Sequence, residues 1–166
     1  MKSIITLISI FLLFSCSMQK HTQPFQKVNF ENNDGGVVYL YFSQDGISLG
    51  PNFTEFGPKL YIDGQKIGLL AVGTYVPLKM KSGTHTIESE SGWDYKIFAN
   101  VKATFKVESG QSKYIEFAIR GESIDQSRNK WTSFLIERTE SEAYAKISHC
   151  KLNASLAAAT QAKINP

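Results

Sequence analysis

The clearest catalytic pattern in this 166-residue chain is a short glycine-rich segment. Residues 46–50 read Gly-Ile-Ser-Leu-Gly and match G-x-S-x-G, the nucleophile elbow of α/β-hydrolases. In that fold a helix follows the serine, but here Pro51 follows and no helical pattern begins. The chain also lacks the alternating strand and helix patterns of that fold. We favour a loop between two strands, with a small serine hydrolase using Ser48 as the less favoured alternative.

The histidines and paired carboxylates do not form a metal or acid–base pattern. His21, His85 and His149 are far apart in the chain and lack the spacing of zinc ligands. Glu88 and Glu90 fall on one face of a predicted strand, where two carboxylates could serve glycoside hydrolysis, but solvent-facing strands often carry such pairs. We therefore predict a protein that is not an enzyme and that holds no metal and no cofactor.

Aromatic and charged loops suggest binding instead. Trp93 and Tyr95 lie in a predicted loop, where they could stack on sugars or enter a partner's pocket, or where Trp93 could cover the end of the domain. Trp131 lies near the start of a strand, and residues 120–130 are predicted to form a solvated loop of mixed charge. The formal net charge of +3 is too small and too scattered to indicate binding to nucleic acid.

The amino terminus has the pattern of a lipoprotein export signal. Residues 4–14 are apolar, and this run is shorter than the about 20 residues that a membrane-spanning helix needs. Residues 13–16 (Leu-Phe-Ser-Cys) resemble the bacterial lipobox, which implies cleavage before Cys16 and acylation of that cysteine. Several acyl chains together hold a protein on a bilayer. We predict a membrane-anchored envelope lipoprotein, with Ser17 favouring the outer membrane; the alternative is an ordinary secretory signal.

Hydrophobic patterns further along the chain predict the domain that this signal exports. Residues 37–42 (VVYLYF) are apolar on both faces, as in a central strand, and Asp63-Gly64 between two apolar runs indicates a hairpin. Alternation over residues 102–107 and 114–119 predicts two strands, each with one buried and one solvent-facing side. About eight short strands separated by glycine-containing turns favour an all-β, mainly antiparallel sandwich.

A single short helix is predicted near the end of the chain. Thr139 and Glu142 have the spacing of a capping box. Ala143, Ile147 and Cys150 then recur on one helical face, so we expect Cys150 to be buried. The predicted organisation is a signal peptide at 1–15, the lipidated cysteine with a flexible tether at 16–36, the sandwich at 37–152 and a disordered tail at 153–166.

Four segments resemble a known family when they are taken in order. They are residues 59–68 (KLYIDGQKIG), 73–75 (GTY), 81–87 (KSGTHTI) and 108–115 (ESGQSKYI). Over residues 37–152 the chain resembles the bacterial lipoproteins grouped as domain of unknown function 2846 and, more distantly, immunoglobulin-like PEGA domains. The resemblance implies an exported, membrane-tethered, non-catalytic β-domain with no established ligand. We expect a binding or structural module with an envelope protein or glycan as partner; the alternative is a peptidoglycan-binding module that uses its aromatic loops.

Overall fold

Two β-sheets packed face to face form the body of the protein. The computed structural model describes residues 25–28, 34–45, 57–90, 100–125 and 128–164. Within these ranges the strands are β1 (Gly35–Phe42), β2 (Lys59–Ile62), β3 (Gln65–Leu69), β4 (Thr74–Lys81), β5 (Gly83–Glu90), β6 (Val101–Val107), β7 (Ser112–Asp125), β8 (Arg128–Arg138) and β9 (Lys151–Leu152). The helices are α1 (Glu140–Ile147) and α2 (Ala154–Ile164). Neither described helix is long and apolar enough to cross a bilayer.

The strand order confirms a mainly antiparallel β-sandwich. One sheet has five strands in the order β8-β7-β1-β4-β9, and the other has four in the order β3-β2-β5-β6. Two pairings are parallel, β1 with β7 and β4 with β9, and the other pairings are antiparallel. Between β4 and β5 the chain passes from one sheet to the other through Ser82 alone, so this short connection is a crossover between layers.

Strand β1 lies at the centre of the five-stranded sheet and is buried along its whole length, as predicted. Val38, Leu40 and Phe42 project into the main core between the two sheets. Because successive side chains of a strand point to opposite faces, Tyr39 and Tyr41 project from the outer face. Their burial on that face requires a third layer over the five-stranded sheet.

Two local motifs fold as predicted. Asp63 and Gly64 have φ angles of 49° and 78°, the left-handed values that a tight hairpin turn between β2 and β3 requires. At α1 the Thr139 backbone N–H donates to Glu142, and the Glu142 N–H donates to the Thr139 hydroxyl. This capping box starts the helix, whose buried face holds Ala143 and Ile147.

The outer face of β7 is dry, and the prediction of a solvent-facing side was wrong there. Tyr114 and Glu116 are each 2% exposed. Helix α1 packs over β7 and β8 and excludes water from these side chains. Alternation in sequence shows which residues share a face, but it does not show whether another layer covers that face.

The predicted loop at residues 120–130 is largely regular structure. Strand β7 continues to Asp125 and β8 begins at Arg128, so the two strands form a long hairpin. Gly121 pairs with Trp131 and Glu122 with Lys130. An antiparallel ribbon accommodates charged side chains on an exposed face. The mixed charges of this segment therefore do not indicate a loop, and that prediction was wrong.

The predicted disordered tail was also wrong, because α2 packs against β3 and β4. Asn153 accepts a hydrogen bond from the Leu156 N–H at 3.1 Å, which caps the helix. Leu156 joins the main core beside Gly68, where a Cβ atom would lie 2.6 Å from the leucine methyl group. The missing side chain of Gly68 therefore makes room for the helix.

The predicted tether at 16–36 is in part a packed segment. We call residues 25–28 the N-terminal strap, because they lie against the domain. Phe25 is 7% exposed, and β1 already begins at Gly35. The lipobox residues and the first part of the tether lie outside the described residues.

A leucine pair tests whether α2 is part of the core. Leu156→Ala should lower the free energy of unfolding by about 2–4 kcal/mol, because it leaves a cavity in packed surroundings. Leu152→Ala makes the same change at a side chain that is 39% exposed and should cost less than about 1 kcal/mol. Urea unfolding followed by circular dichroism measures both, and equal losses would contradict a packed α2.

Candidate functional site

A second core of aromatic side chains covers the outer face of the five-stranded sheet. It lies beneath α1 and the N-terminal strap and consists of Phe25, Val37, Tyr39, Tyr41, Tyr75, Tyr114, Ala143, Ile147 and Cys150. Tyr39 stacks on Tyr114 with ring centroids 5.1 Å apart. We call this set the tyrosine layer.

Phe25 inserts into a slot of three tyrosine rings. Its ring centroid lies 5.2 Å from Tyr39, 5.2 Å from Tyr75 and 5.6 Å from Tyr144, each in an edge-to-face arrangement. Such ring pairs are worth about 0.5–1.5 kcal/mol each beyond the area they bury. The strap is therefore held to the domain by a specific aromatic contact.

Two hydrogen bonds from residues that follow Phe25 also hold the strap to the domain. The Val28 N–H donates to the Tyr39 hydroxyl at 2.7 Å, and the Lys27 ammonium donates to Glu140 at 2.7 Å. The hydrogen bond from Lys27 lowers the pKa of Glu140. The strap thus contacts both β1 and the start of α1.

A buried carboxylate fastens α1 to the sheet. Glu116 accepts a hydrogen bond from Arg138 Nε at 2.8 Å and another from Lys146 Nζ at 2.6 Å, while the Ser43 hydroxyl lies 3.4 Å away. The hydrogen bond with Glu116 raises the pKa of Arg138. Since a buried charge without partners is strongly unfavourable, these two cations hold β7, β8 and α1 together.

The tyrosine hydroxyls and the cysteine thiol of the tyrosine layer are protonated at neutral pH. Burial raises the pKa of Tyr41, and the neighbouring Glu116 carboxylate raises it further. Burial also raises the pKa of Tyr114 to about 12 and that of the Cys150 thiol to about 12. Cys150 is 4% exposed, so its predicted burial is confirmed, and its thiol is not activated as a nucleophile.

His85 has a structural environment on β5. Its Nδ1 atom lies 2.7 Å from the Asp63 carboxylate and its Nε2 atom 2.9 Å from the Lys81 carbonyl oxygen. The ring also packs beside Phe105. His85 therefore connects the β2–β3 turn to the crossover between the sheets, while His149 is exposed after α1. No group of three potential metal ligands occurs among the described residues.

An open groove lies on the outer face of the four-stranded sheet. Its volume is about 350 Å³, and it is lined by Tyr61, Gly64, Glu88, Ser89, Glu90, Asn100, Val101 and Lys102. Tyr61 donates to Glu90 at 2.7 Å, which raises the pKa of the phenol, and Lys102 donates to Glu88 at 2.6 Å. The predicted carboxylate pair does share a face, and each carboxylate has a partner.

The residues that precede and follow the aromatic segment in the sequence both line the groove. Glu90 and Asn100 are the described residues on either side of 91–99, which contains Trp93 and Tyr95. Those two residues lie outside the described residues, as do Cys16, His21 and Ser48. Trp131 is 36% exposed and packs across Gly121 on the β7–β8 hairpin.

The tyrosine layer and its central charge were not predicted from the sequence. A carboxylate at Glu116 within the run Tyr-Ile-Glu-Phe, and tyrosines at alternate positions of β1, were the available signals. The Glu116 pattern is equally typical of a strand with one wet face, whereas the two-sided apolar run of β1 predicted burial but not which element covers its outer face. Only the position of α1 distinguishes the two cases.

These features define a two-sheet β-sandwich with an aromatic third layer. A family described as a protein of unknown function (DUF2846) matches residues 31–128, more than half of the chain, and the chain belongs to that family. The predicted membership of this family is thereby confirmed, while the likeness to PEGA domains and the lipoprotein character stay predictions. No curated protein and no solved structure matches the chain.

Two tyrosines of β1 give a matched test of the tyrosine layer. Tyr39→Phe should lower the free energy of unfolding by about 1 kcal/mol, because the Val28 N–H loses its acceptor. Tyr41→Phe should leave stability unchanged or raise it by about 1 kcal/mol, because the Tyr41 hydroxyl is buried without a hydrogen-bond partner among the described residues. Urea unfolding measures both, and the reverse order would refute this arrangement.

Proposed function

We propose that the protein is a lipid-anchored cell-envelope lipoprotein, favouring the outer membrane, whose β-sandwich serves as a non-catalytic binding or structural module. The observation that carries the proposal is the Leu-Phe-Ser-Cys sequence at residues 13–16, at the end of a short apolar run. Acyl chains on Cys16 would confine the domain to a membrane surface, so that its loops and strand edges meet partners there.

The chemistry of the buried groups supports a non-catalytic role. Glu116 is neutralised by Arg138 and Lys146, and the Cys150 thiol is held protonated by burial. His85 has a polar neighbour at each ring nitrogen. Each of these side chains has an evident part in holding the fold together, and none is poised as a nucleophile or base.

The N-terminal strap supports close attachment to the membrane. Phe25 lies nine positions after Cys16 in the chain, a span of about 30 Å when fully extended and about 15–18 Å as a flexible coil. Because Phe25 is packed in its tyrosine slot, the free part of the tether is about half the predicted length. A domain anchored in this way would stay beside the lipid surface.

A pair of cysteine variants tests the anchor. Cells that express the wild type and are fed an alkyne fatty acid should yield labelled protein, whereas Cys16→Ser should yield none. Cys150→Ala retains the lipobox and should be labelled like the wild type, because Cys150 is buried in the folded domain. Label that persists on the Cys16→Ser protein would refute lipidation at this residue.

Glycan binding is a second candidate, and the groove lined by Glu90 and Asn100 favours it. An aromatic ring, carboxylates, an amide and an ammonium group line the groove, and these groups are typical of sugar sites. Trp93 and Tyr95 belong to the segment between Glu90 and Asn100 in the sequence. Peptidoglycan is the polymer that an envelope-anchored domain would meet.

Sedimentation with insoluble peptidoglycan tests this candidate. Trp93→Ala should reduce the bound fraction at least fivefold, because the packing of an aromatic ring on the apolar face of a sugar would be lost. Trp131→Ala removes the other tryptophan, which lies on the separate β7–β8 hairpin, and should bind like the wild type. Equal retention of all three proteins would eliminate the glycan hypothesis.

A further inference from the structure

The β7–β8 hairpin extends well past the strands that flank it. Strand β1 pairs with β7 only as far as Glu116, whereas β7 continues to Asp125. The nine additional residues correspond to about 30 Å at roughly 3.3 Å per residue. Ile119 and Leu135 still pack against the main core. Beyond them lies the part that we call the arm, residues 120–125 and 128–134.

The arm carries an unusual share of exposed apolar side chains. Ile124 is 60% exposed, and Trp131 and Phe134 are each 36% exposed. Arg120 lies over the Phe134 ring at 5.8 Å from its centroid, and Lys130 is exposed on the neighbouring strand. Aromatic and aliphatic groups beside cations are the combination found where proteins contact the headgroup region of a bilayer.

The N-terminal strap runs toward the arm when it is followed toward the amino terminus. Lys27 pairs with Glu140 at the start of α1, and Phe25 contacts Tyr144 one turn later. Helix α1 advances along β7 in the direction of the arm, because Glu140 is close to Tyr114 whereas Lys146 bonds to Glu116. Followed from Val28 back to Phe25, the chain therefore runs toward the same end of the sandwich as the arm.

We propose that the arm contacts the surface of the bilayer that holds the lipid anchor, with Ile124 and Trp131 entering the headgroup region. This proposal depends on the proposed lipidation of Cys16. The lengths agree: the nine residue steps from Cys16 to Phe25 reach at most about 30 Å, and the eight residue steps of β7 from Glu116 to Ile124 span about 26 Å. The anchor and the arm can therefore reach one membrane plane together, and the protein would touch the bilayer at two points.

Tryptophan quenching by brominated lipid tests the contact directly. Full-length lipidated protein carrying Trp93→Phe, so that Trp131 is its only tryptophan, is reconstituted into vesicles of phosphatidylethanolamine and phosphatidylglycerol. Emission from Trp131 should be at least twofold weaker with brominated acyl chains than with plain ones. Adding Ile124→Asp should at least halve this quenching while leaving the urea midpoint unchanged, because Ile124 is a surface residue.

A matched reporter at the opposite end of β7 gives the control. Glu108 is exposed in the turn before β7, so the triple variant Trp93→Phe, Trp131→Phe, Glu108→Trp places the single tryptophan away from the arm. Its emission should change by less than 10% on bromination. Equal quenching of both reporters would show non-specific contact and would overturn the proposal.

The remaining outcomes separate the two proposals. Mass spectrometry of the same preparation reports acylation of Cys16, and an unacylated protein would refute the proposed anchor and the arm contact together. Acylated protein with no quenching of Trp131 would refute the arm contact alone. A last outcome is that lipid does not quench Trp131 and that acrylamide fails to reach Trp131 only in dimers captured by cross-linking. This result would assign the arm to a contact between two copies of the chain and would also overturn the proposal.

Discussion

The burial of β1 on both faces is the constraint on which the rest of the structure depends. All eight residues from Gly35 to Phe42 are shielded from water, so the strand needs a core on each side. Aliphatic residues and Phe42 fill the inner side, where the second sheet packs. Tyrosines fill the outer side, and their hydroxyl groups are costly to bury unless nearby polar groups pair with them. Helix α1 and the N-terminal strap supply that outer layer.

The outer layer is positioned by charge as well as by apolar contact. An apolar helix face alone could slide along an aromatic surface, but Glu116 restricts α1 through Lys146 and restricts β8 through Arg138. Removing either cation would leave a buried carboxylate poorly paired, which is far costlier than losing a surface ion pair. The same contacts fix where Tyr144 lies, and Tyr144 forms one wall of the slot for Phe25.

The slot for Phe25 connects the fold to the proposed anchoring of the protein. A fully flexible tether would let the domain present any face to a membrane. Phe25 shortens the free chain and sets the side of the sandwich from which it leaves, and the β7–β8 hairpin projects from the same end. Orientation at a membrane would then follow from packing inside the domain, and the groove on the four-stranded sheet would remain open to other partners.

The amino-acid sequence alone determined those features whose cause lies within a few residues. The two-sided apolar run of β1, the Asp63-Gly64 turn and the Thr139 cap are local signals, and each folds as predicted. Family membership was also readable, from the order of short turn and strand motifs. Tertiary structure alone decided that Glu116 is buried and that the tail forms α2, because these outcomes depend on elements far away in the chain. A strand or helix pattern specifies which side chains share a face, whereas the cover over that face is supplied by long-range packing.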